Sequence, residues 1–180
     1  RQMCIRDRTY TININRQAAS ANNAGDNNNQ NNNNQNNTDV NITSGKYSIG
    51  TYITGIEPGT GAADFVKNIA VSASGTVKLL TSSGSENSGK IATGNKVAVY
   101  DASGNLKKTY DIVIYGDING DGAVNALDMI KLNRHILGKG TLTGAYLEAA
   151  DANRKRDGGN ALDMIIMNRH ILGKSKISQN

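Results

Sequence analysis

Apolar and polar residues alternate along several short stretches between residues 40 and 115, which is typical of half-buried strands. The spacing predicts strands at residues 47–53, 76–80, 96–100 and 109–115, the last two joined as a hairpin through residues 101–105. A turn-rich segment at 57–61 precedes a short predicted helix at 64–69, with Asp64 near its N-cap. These elements predict a small β-rich, sandwich-like domain whose aromatic residues serve core or cross-strand packing, with sugar stacking as the alternative. We find no grouping of carboxylates, histidines or phosphate-binding glycines in it.

A different periodicity governs the last third of the chain, where one segment occurs twice. Residues 125–138 recur as residues 160–173, and the copies differ at two of 14 positions, Lys131/Ile166 and Leu132/Met167. Such a duplication predicts two similar helices in one compact unit. Helical spacing predicts that one set of apolar residues in each copy forms the core of this unit. The sets are Met129, Ile130, Leu132, Ile136 and Leu137, and Met164, Ile165, Met167, Ile171 and Leu172. The equivalent His135 and His170 are expected to pack at the surface or at its boundary with the core, with a paired metal or pH-sensing role as the alternative.

The segment before the first copy has the pattern D-x-N-x-D-G-x5-D, a twelve-residue calcium loop that ends in Asp instead of Glu. Calcium takes six to eight oxygen ligands, and a curled loop directs its first, third and fifth side chains inward. Gly122 permits the sharp turn at the sixth position, after which a backbone carbonyl can face the metal. The predicted ligands are Asp117, Asn119, Asp121, the Ala123 carbonyl, Asn125 and Asp128. The alternative is an Asp/Asn/Gly turn without metal.

A second loop of the same kind precedes the second copy but has one residue too many. We align it with two residues inserted before Asp157 and one removed after Gly158. The side chains or carbonyls that could still bind calcium are those of Asp151, Asn153, Asp157, Gly159, Asn160 and Asp163. Residues 154–156 place three cations beside this loop, so we expect it to bind calcium more weakly than the first loop. A stretch of frameshifted sequence is an alternative explanation.

This arrangement of a calcium loop, one following helix and a connecting helix around 142–150 resembles a type I dockerin over residues 116–173. The resemblance implies two EF-hand-like loop–helix repeats that bind a cohesin domain of a scaffold or cell-surface protein. The resemblance implies that the cohesin is recognised by two equivalent sets of residues. They are Ala126, Leu127, Asn133 and Arg134 in the first copy and Ala161, Leu162, Asn168 and Arg169 in the second. Because both copies carry the same residues, we expect docking in two orientations. The alternative is that both leucines pack inside and both arginines are merely solvated.

Composition narrows the remaining classes of function. The 180 residues are 37% hydrophobic and 4% aromatic, with one Cys and two His, which excludes a disulfide scaffold and a Cys/His zinc site. No apolar run approaches the roughly 20 residues of a membrane span, so membrane insertion is not expected. The net charge of +5 has one basic cluster, residues 154–156, so we do not expect nucleic-acid binding.

The domain organisation follows from these patterns. Residues 1–8 read like the translated end of a sequencing adapter, and residues 9–16 resemble the last strand of a cadherin-like β-sandwich. Residues 17–39 are an Asn-rich segment that we expect to be a disordered linker. A β-rich module at 40–115 follows, similar to those that precede dockerins in secreted bacterial proteins. The dockerin spans 116–175, with repeats at 117–138 and 151–173, and 176–180 form a tail; overall the fold class is α+β.

The function that follows is that of a non-catalytic, calcium-dependent docking module. We expect it to be monomeric and extracellular or at the cell surface, and to anchor an upstream enzyme or adhesin, in polysaccharide degradation. One alternative is the C-terminal part of a glycoside hydrolase or other carbohydrate-active enzyme. Another is a calcium-binding structural or sensor module, which the missing entering helices disfavour.

Overall fold

The computed structural model describes residues 40–180. The predicted adapter segment, the strand at 9–16 and the linker at 17–39 lie outside the described residues. Residues 40–180 all belong to one compact unit.

Seven short strands form two sheets in the first half of the described chain. They are β1 (Ile42–Thr43), β2 (Ser48–Ile49), β3 (Tyr52–Thr54), β4 (Ala70–Val71), β5 (Thr76–Leu80), β6 (Lys96–Tyr100) and β7 (Leu106–Ile112). Antiparallel β1 and β4 form the smaller sheet, and the larger has the order β2-β3-β7-β6-β5, with β3 and β7 parallel. The three central residues of β6 are buried because this strand lies between two neighbours.

The predicted strands are largely present in the structure. Those at 76–80 and 96–100 have the predicted bounds, and β7 begins and ends earlier than predicted. The prediction of one strand over 47–53 is wrong, because the chain reverses at Gly50, whose N–H donates to the Tyr52 carbonyl at 3.0 Å. That reversal makes β2 and β3 an antiparallel pair, with Ile49 opposite Ile53. The short helix α1 spans Ala62–Val66 and places Asp64 in its first turn, after the N-cap Gly61.

The first core lies between the sheets and α1. Its largest fully buried side chains include Ile53, Ile91 and Val99, and Phe65 of α1 stacks on Tyr47 with ring centroids 5.0 Å apart. The tyrosines Tyr47 and Tyr110 are both about 95% buried, so they pack in the core as predicted.

Three helices follow, α2 (Ala126–Ile136), α3 (Gly144–Ala150) and α4 (Ala161–Ile171), at the predicted places. The duplicated helices α2 and α4 pack on each other, and each begins with a capping box. Leu132 and Met167, which occupy the same position in the two copies, are both fully buried in a second core. Val113, Tyr115 and Ile118 contribute to this core from the segment that follows β7. The β-rich region and the helices together give the α+β class.

The predicted helix core is wrong at several positions. Leu132 and Met167 are buried and Met129 and Met164 are half-buried, as expected. Ile171 is half-buried as well. The remaining five do not face the core: Ile130, Ile136 and Leu137 of the first copy, and Ile165 and Leu172 of the second, are between 40% and 59% exposed. The second core therefore covers one face of each duplicated helix, the face that carries Leu132 or Met167.

Candidate calcium loops and docking face

The first loop curls around the carboxylate of Asp117, which is fully buried. Its Oδ1 accepts hydrogen bonds from the backbone N–H groups of Gly120 (2.9 Å) and Asp121 (3.1 Å). Its Oδ2 accepts from Gly122 (3.1 Å) and from Thr93 (2.8 Å) in the segment before β6. Four backbone donors thus fix the first predicted ligand in place.

Asp128 joins the end of the loop to the start of α2. Its Oδ1 accepts from the N–H groups of Ile118 and Asn119, both at 2.8 Å, and its Oδ2 accepts from Asn125 at 2.9 Å. Asn125 is the N-cap, and its Oδ1 accepts from Leu127 N–H at 2.8 Å. The last predicted ligand therefore also forms the capping box that starts the helix.

Polar side chains converge between these two ends. The Asn119 amide donates to Asp121 Oδ2 at 2.7 Å, and the Asn125 amide lies 3.5 Å from the same oxygen. Ala123, the residue predicted to offer its carbonyl, is exposed, and its N–H donates to Asp121 Oδ1 at 2.9 Å. The structure therefore assembles all six predicted residues of the first loop around one short turn.

The acidic groups of this loop affect one another. Burial raises the pKa of Asp117 to about 6, and the nearby charge of Asp128 adds to the rise. Burial likewise raises the pKa of Asp128, assisted by the charge of Asp121. Burial alone would also raise the pKa of Asp121, but hydrogen bonds from Asn119 and Ala123 outweigh it, so this pKa is lowered. Without a cation, two of the three carboxylates are thus held in an environment that disfavours their charge.

The backbone of the second loop follows the first through its sixth residue. Lys155 N–H donates to Asp151 Oδ1 (3.2 Å) and Asn153 Oδ1 (2.8 Å), as Asp121 N–H does to Asp117 and Asn119. Arg156 N–H donates to Asp151 Oδ2 at 2.6 Å, as Gly122 does to Asp117. Lys155 therefore occupies the fifth position of the loop, so our alignment with an insertion before Asp157 is wrong.

Two arginines occupy backbone positions that glycine fills in the first loop. Arg154 and Arg156 have φ values of 57° and 58°, where Gly120 and Gly122 have 77° and 79°. The left-handed region costs a residue with a Cβ about 1–2 kcal/mol, whereas glycine enters it freely. Glycine at these positions is the sequence signal for the turn, and the second loop lacks that signal because arginines replace both glycines.

The extra residue of the second loop comes after the sixth position and brings in a new carboxylate. Three residues separate Arg156 from Asn160, whereas two separate Gly122 from Asn125. Oxygens of Asp151, Asp157 and Asp163 lie within 4.8 Å of one another. Burial raises the pKa of Asp163, and the charges of Asp151 and Asp157 add to the rise. Among residues 40–180, the first loop offers no equally tight trio of carboxylates, because its amides separate the acidic groups.

The donor set of the second loop fits calcium. Two oxygens that bind one calcium ion at roughly 2.3–2.6 Å lie at most about 5 Å apart, which the trio satisfies. The Asn153 side chain has its Oδ1 fixed by the Lys155 N–H at 2.8 Å, and its buried amide nitrogen has no hydrogen-bond partner. Asn160 caps α4, Asp163 completes its capping box, and Gly159 packs against Leu132. The loop therefore brings together carboxylate oxygens that repel one another unless a cation lies between them.

All eight residues predicted to contact a partner are exposed on α2 and α4. They are Ala126, Leu127, Asn133 and Arg134, with Ala161, Leu162, Asn168 and Arg169. Leu127 is 59% exposed and Leu162 is 58% exposed, so these side chains do not pack inside.

The structure adds apolar residues to each of these surfaces. Ile130 and Leu137 follow Leu127 at helical spacing, with Arg134 between them, and are 56% and 58% exposed. Ile165 and Leu172 have the same exposure in the second copy, 55% and 59%. We call the set Leu127, Ile130, Arg134 and Leu137 the first stripe and the set Leu162, Ile165, Arg169 and Leu172 the second stripe. Helical spacing alone predicts that Ile130, Ile165, Leu137 and Leu172 lie in the core, and that prediction is wrong. The near-identity of the two copies is the sequence signal of a repeated surface.

The two histidines have matching structural roles. His135 Nδ1 accepts from Leu142 N–H at 3.3 Å, and His170 Nδ1 accepts from Ile177 N–H at 3.0 Å. Each ring is half-buried and links the end of its helix to the segment seven residues later, which agrees with the predicted surface or boundary packing.

Comparisons with known proteins agree with this geometry. Residues 115–172 match the family model described as Dockerin type I domain. No curated protein and no solved structure matches the chain. None of the helices in the described part of the chain has the length and apolar character needed to cross a membrane. Dockerin domains are non-catalytic modules that bind calcium and dock onto cohesin domains. The similarity to the type I dockerin family thus covers residues 115–172, which include both loops and the helices α2, α3 and α4.

Proposed function

We propose that both loops of this dockerin bind calcium, as two EF-hand-like loop–helix repeats, and that the ordered helices present two equivalent surfaces to a cohesin. The observation that carries this proposal is the pair of matched stripes, whose corresponding apolar side chains differ in exposure by about one percentage point. A solvent-exposed apolar surface is typical of a protein–protein interface.

Calcium would act here by joining each loop to its helix. When bound, the ion supplies positive charge that offsets the repulsion among the loop carboxylates. Asp128 and Asp163 would each hold it while capping α2 and α4. The ligands would be Asp117, Asn119, Asp121, Ala123, Asn125 and Asp128 in the first loop, and Asp151, Asn153, Asp157, Gly159, Asn160 and Asp163 in the second. Metal binding and the order of both helix N-termini are thereby coupled.

Each stripe has the composition of a binding surface. Leu127 and Leu162 lie beside the metal loops and would serve as apolar anchors. Arg134 and Arg169 lie two turns along their helices and would pair with carboxylates at the rim of the interface. Because the stripes are duplicated, a cohesin would bind either one, in two orientations related by the internal repeat.

The docking module would connect this chain to a larger assembly. We propose that it anchors an upstream secreted enzyme or adhesin to a scaffold or cell-surface protein, outside the cell and in the degradation of polysaccharides. The support for this proposal is the family match, since dockerins occur in secreted or cell-surface proteins. We propose that the docked unit is a monomer.

The experiment that tests this function measures calcium and partner together. Calorimetric titration of the chelator-stripped chain should show two calcium ions bound per chain, and a panel of type I cohesin domains should bind in calcium but not in excess EDTA. Leu127→Ala with Arg134→Ala should leave cohesin binding largely intact, as should Leu162→Ala with Arg169→Ala. The four changes together should abolish binding.

A matched control separates the surface from the fold. The exposed Asn133 and Asn168 adjoin the arginines, so their alanine variants should fold equally well and weaken the cohesin complex less than loss of the leucines. Loss of binding on changing the first stripe alone would contradict docking in two orientations. Cohesin binding that persists in EDTA would contradict the role of calcium.

A further inference from the structure

We propose that the β module, residues 40–115, is a structural part of the first calcium site. It holds the loop in its metal-binding shape, and calcium bound there in turn stabilises the β module. This inference rests on the proposed function, because it requires that the first loop binds calcium. Its new element is that residues outside the dockerin position a calcium ligand.

A buried hydrogen bond joins the β module to the first loop. Thr93, which lies before β6, donates its backbone N–H to Asp117 Oδ2 at 2.8 Å, and both residues are fully buried. Asp117 is the first ligand of the proposed site, and burial of both partners shields this contact from solvent. The direction of that carboxylate is therefore set in part by a residue 24 positions earlier in the chain.

The Thr93 side chain fixes the approach to the loop as well. Its hydroxyl donates to the Ile114 carbonyl at 3.2 Å and accepts from the Ile114 N–H at 3.1 Å. Ile114 lies three residues before Asp117, and the Asp117 N–H donates back to its carbonyl at 3.0 Å. One threonine thus holds both the first ligand and the backbone that leads into it.

The far side of the loop contacts the β module as well. Gly59 N–H donates to the Gly122 carbonyl at 2.9 Å. A Cβ on Gly122 would lie 2.5 Å from the Ile91 carbonyl oxygen, and one on Gly120 would lie 2.9 Å from the Thr93 carbonyl oxygen. Backbone of the module therefore contacts the first, fourth and sixth positions of the loop.

The second loop is held differently. The hydrogen bonds to Asp151 come from Lys155 and Arg156, and those to Asp163 come from Asn153 and Asn160. Within residues 40–180, these donors all lie in the second loop itself. Arg154 of the second loop contacts Tyr115 and Ser178, but in the described part of the chain only the first loop has a ligand carboxylate that accepts a hydrogen bond from the β module.

This support has a predictable consequence for calcium affinity. Groups that orient a metal ligand from outside the coordination shell typically change metal affinity 10–100-fold when they are removed. The coupling is reciprocal, so a module that favours calcium binding is itself stabilised by the bound calcium. The sheet should therefore respond to calcium although none of its strands contributes a ligand.

The first test measures calcium affinity at the first loop alone. The full chain with Asp151→Asn and Asp163→Asn disables the second loop, and calorimetry then reports the first. Adding Thr93→Val keeps the shape of the side chain and removes the hydroxyl that holds Ile114. We expect calcium affinity to fall about 10-fold. Val99→Ala is the matched control, since Val99 is buried in the sheet core and should weaken the fold without changing calcium affinity.

The second test needs no substitution and decides the outcome if the variants do not fold. Hydrogen exchange of the parent chain should be slower in calcium than in EDTA for peptides covering 91–100. Calcium uptake with unchanged exchange in those peptides, or equal affinity with and without Thr93→Val, would overturn the inference and leave the proposed function intact. Absence of calcium uptake by the parent chain would overturn both.

Discussion

The buried charge of Asp117 makes the stability of the metal-free chain depend on pH in an unusual direction. Burial raises the pKa of this carboxyl from 3.8 to about 6. The folded protein then holds a proton that the unfolded chain has released, so the free energy of unfolding falls as pH rises. This contribution is fully present below pH 3.8 and is lost as pH rises through about 6. Its full size is about 3 kcal/mol.

Acidification of the calcium-free protein from pH 7.5 to 5 should therefore increase the contribution of Asp117 by about 1.4 kcal/mol. Burial of Asp128 and Asp163 acts in the same direction. Asp101 has the opposite effect on the pH dependence of stability, since its hydrogen bonds with Asn105 hold its pKa at about 2. The stability that Asp101 contributes is lost only below the pH range of this experiment. Calcium should reverse the trend, because bound calcium requires the ionised carboxylate and acid weakens binding.

Urea unfolding followed by circular dichroism measures this effect. Asp117→Asn is the reference, because it removes the titrating group and leaves the other acids and both histidines in place. The change in free energy of unfolding between pH 7.5 and 5 should exceed that of the variant by about 1.4 kcal/mol in metal-free buffer. Equal changes in the two proteins would refute the reasoning, as would a parent chain that loses more stability than the variant on acidification.

Three further changes have expected outcomes. Arg156→Gly should remove the backbone strain of a residue with a φ of 58° and raise the free energy of unfolding in calcium by up to about 1 kcal/mol, measured in thermal melts. The control Lys155→Gly should lower the free energy of unfolding. Gln179→Ala should lower the free energy of unfolding in urea by about 2 kcal/mol. The Gln179 side chain accepts from the buried Tyr115 N–H at 2.8 Å and donates to the Tyr115 carbonyl at 3.0 Å, and both groups would lose their partner. The control Ser178→Ala, at an exposed neighbour, should have little effect. Met167→Ala should cost about 3 kcal/mol in the same assay, against less than about 0.5 kcal/mol for the exposed Ile165→Ala.

Sequence reasoning worked best where one local pattern determines the structure. The two long helices were predictable because the duplicated segment has helical spacing in both copies, residues 125–138 and 160–173. The composition of the first loop was predictable because calcium chemistry fixes its spacing. The strand at 47–53 was not, because its alternation continues through the reversal at Gly50 and only hydrogen bonding breaks it.

Other features depend on contacts that no local pattern contains. Periodicity identifies the apolar faces of α2 but does not say which face is covered, so Leu132 and Ile130 received the same prediction. The contact of Thr93 with Asp117 joins residues 24 positions apart and has no signature in either segment. Such contacts follow from how the whole chain packs.

The second loop has as many acidic residues as the first, although they occupy different positions in the loop. Lys155 replaces the acid of the fifth position, but the extra residue brings Asp157 to the other two carboxylates, so each loop has three acidic groups. Ligand charge and rigidity set the affinity of such loops for calcium. Since the number of acids is equal, we expect rigidity to decide between them. The first loop has glycines at its left-handed positions and support from Thr93, and the second has arginines at those positions, so the first should fill at lower calcium concentration.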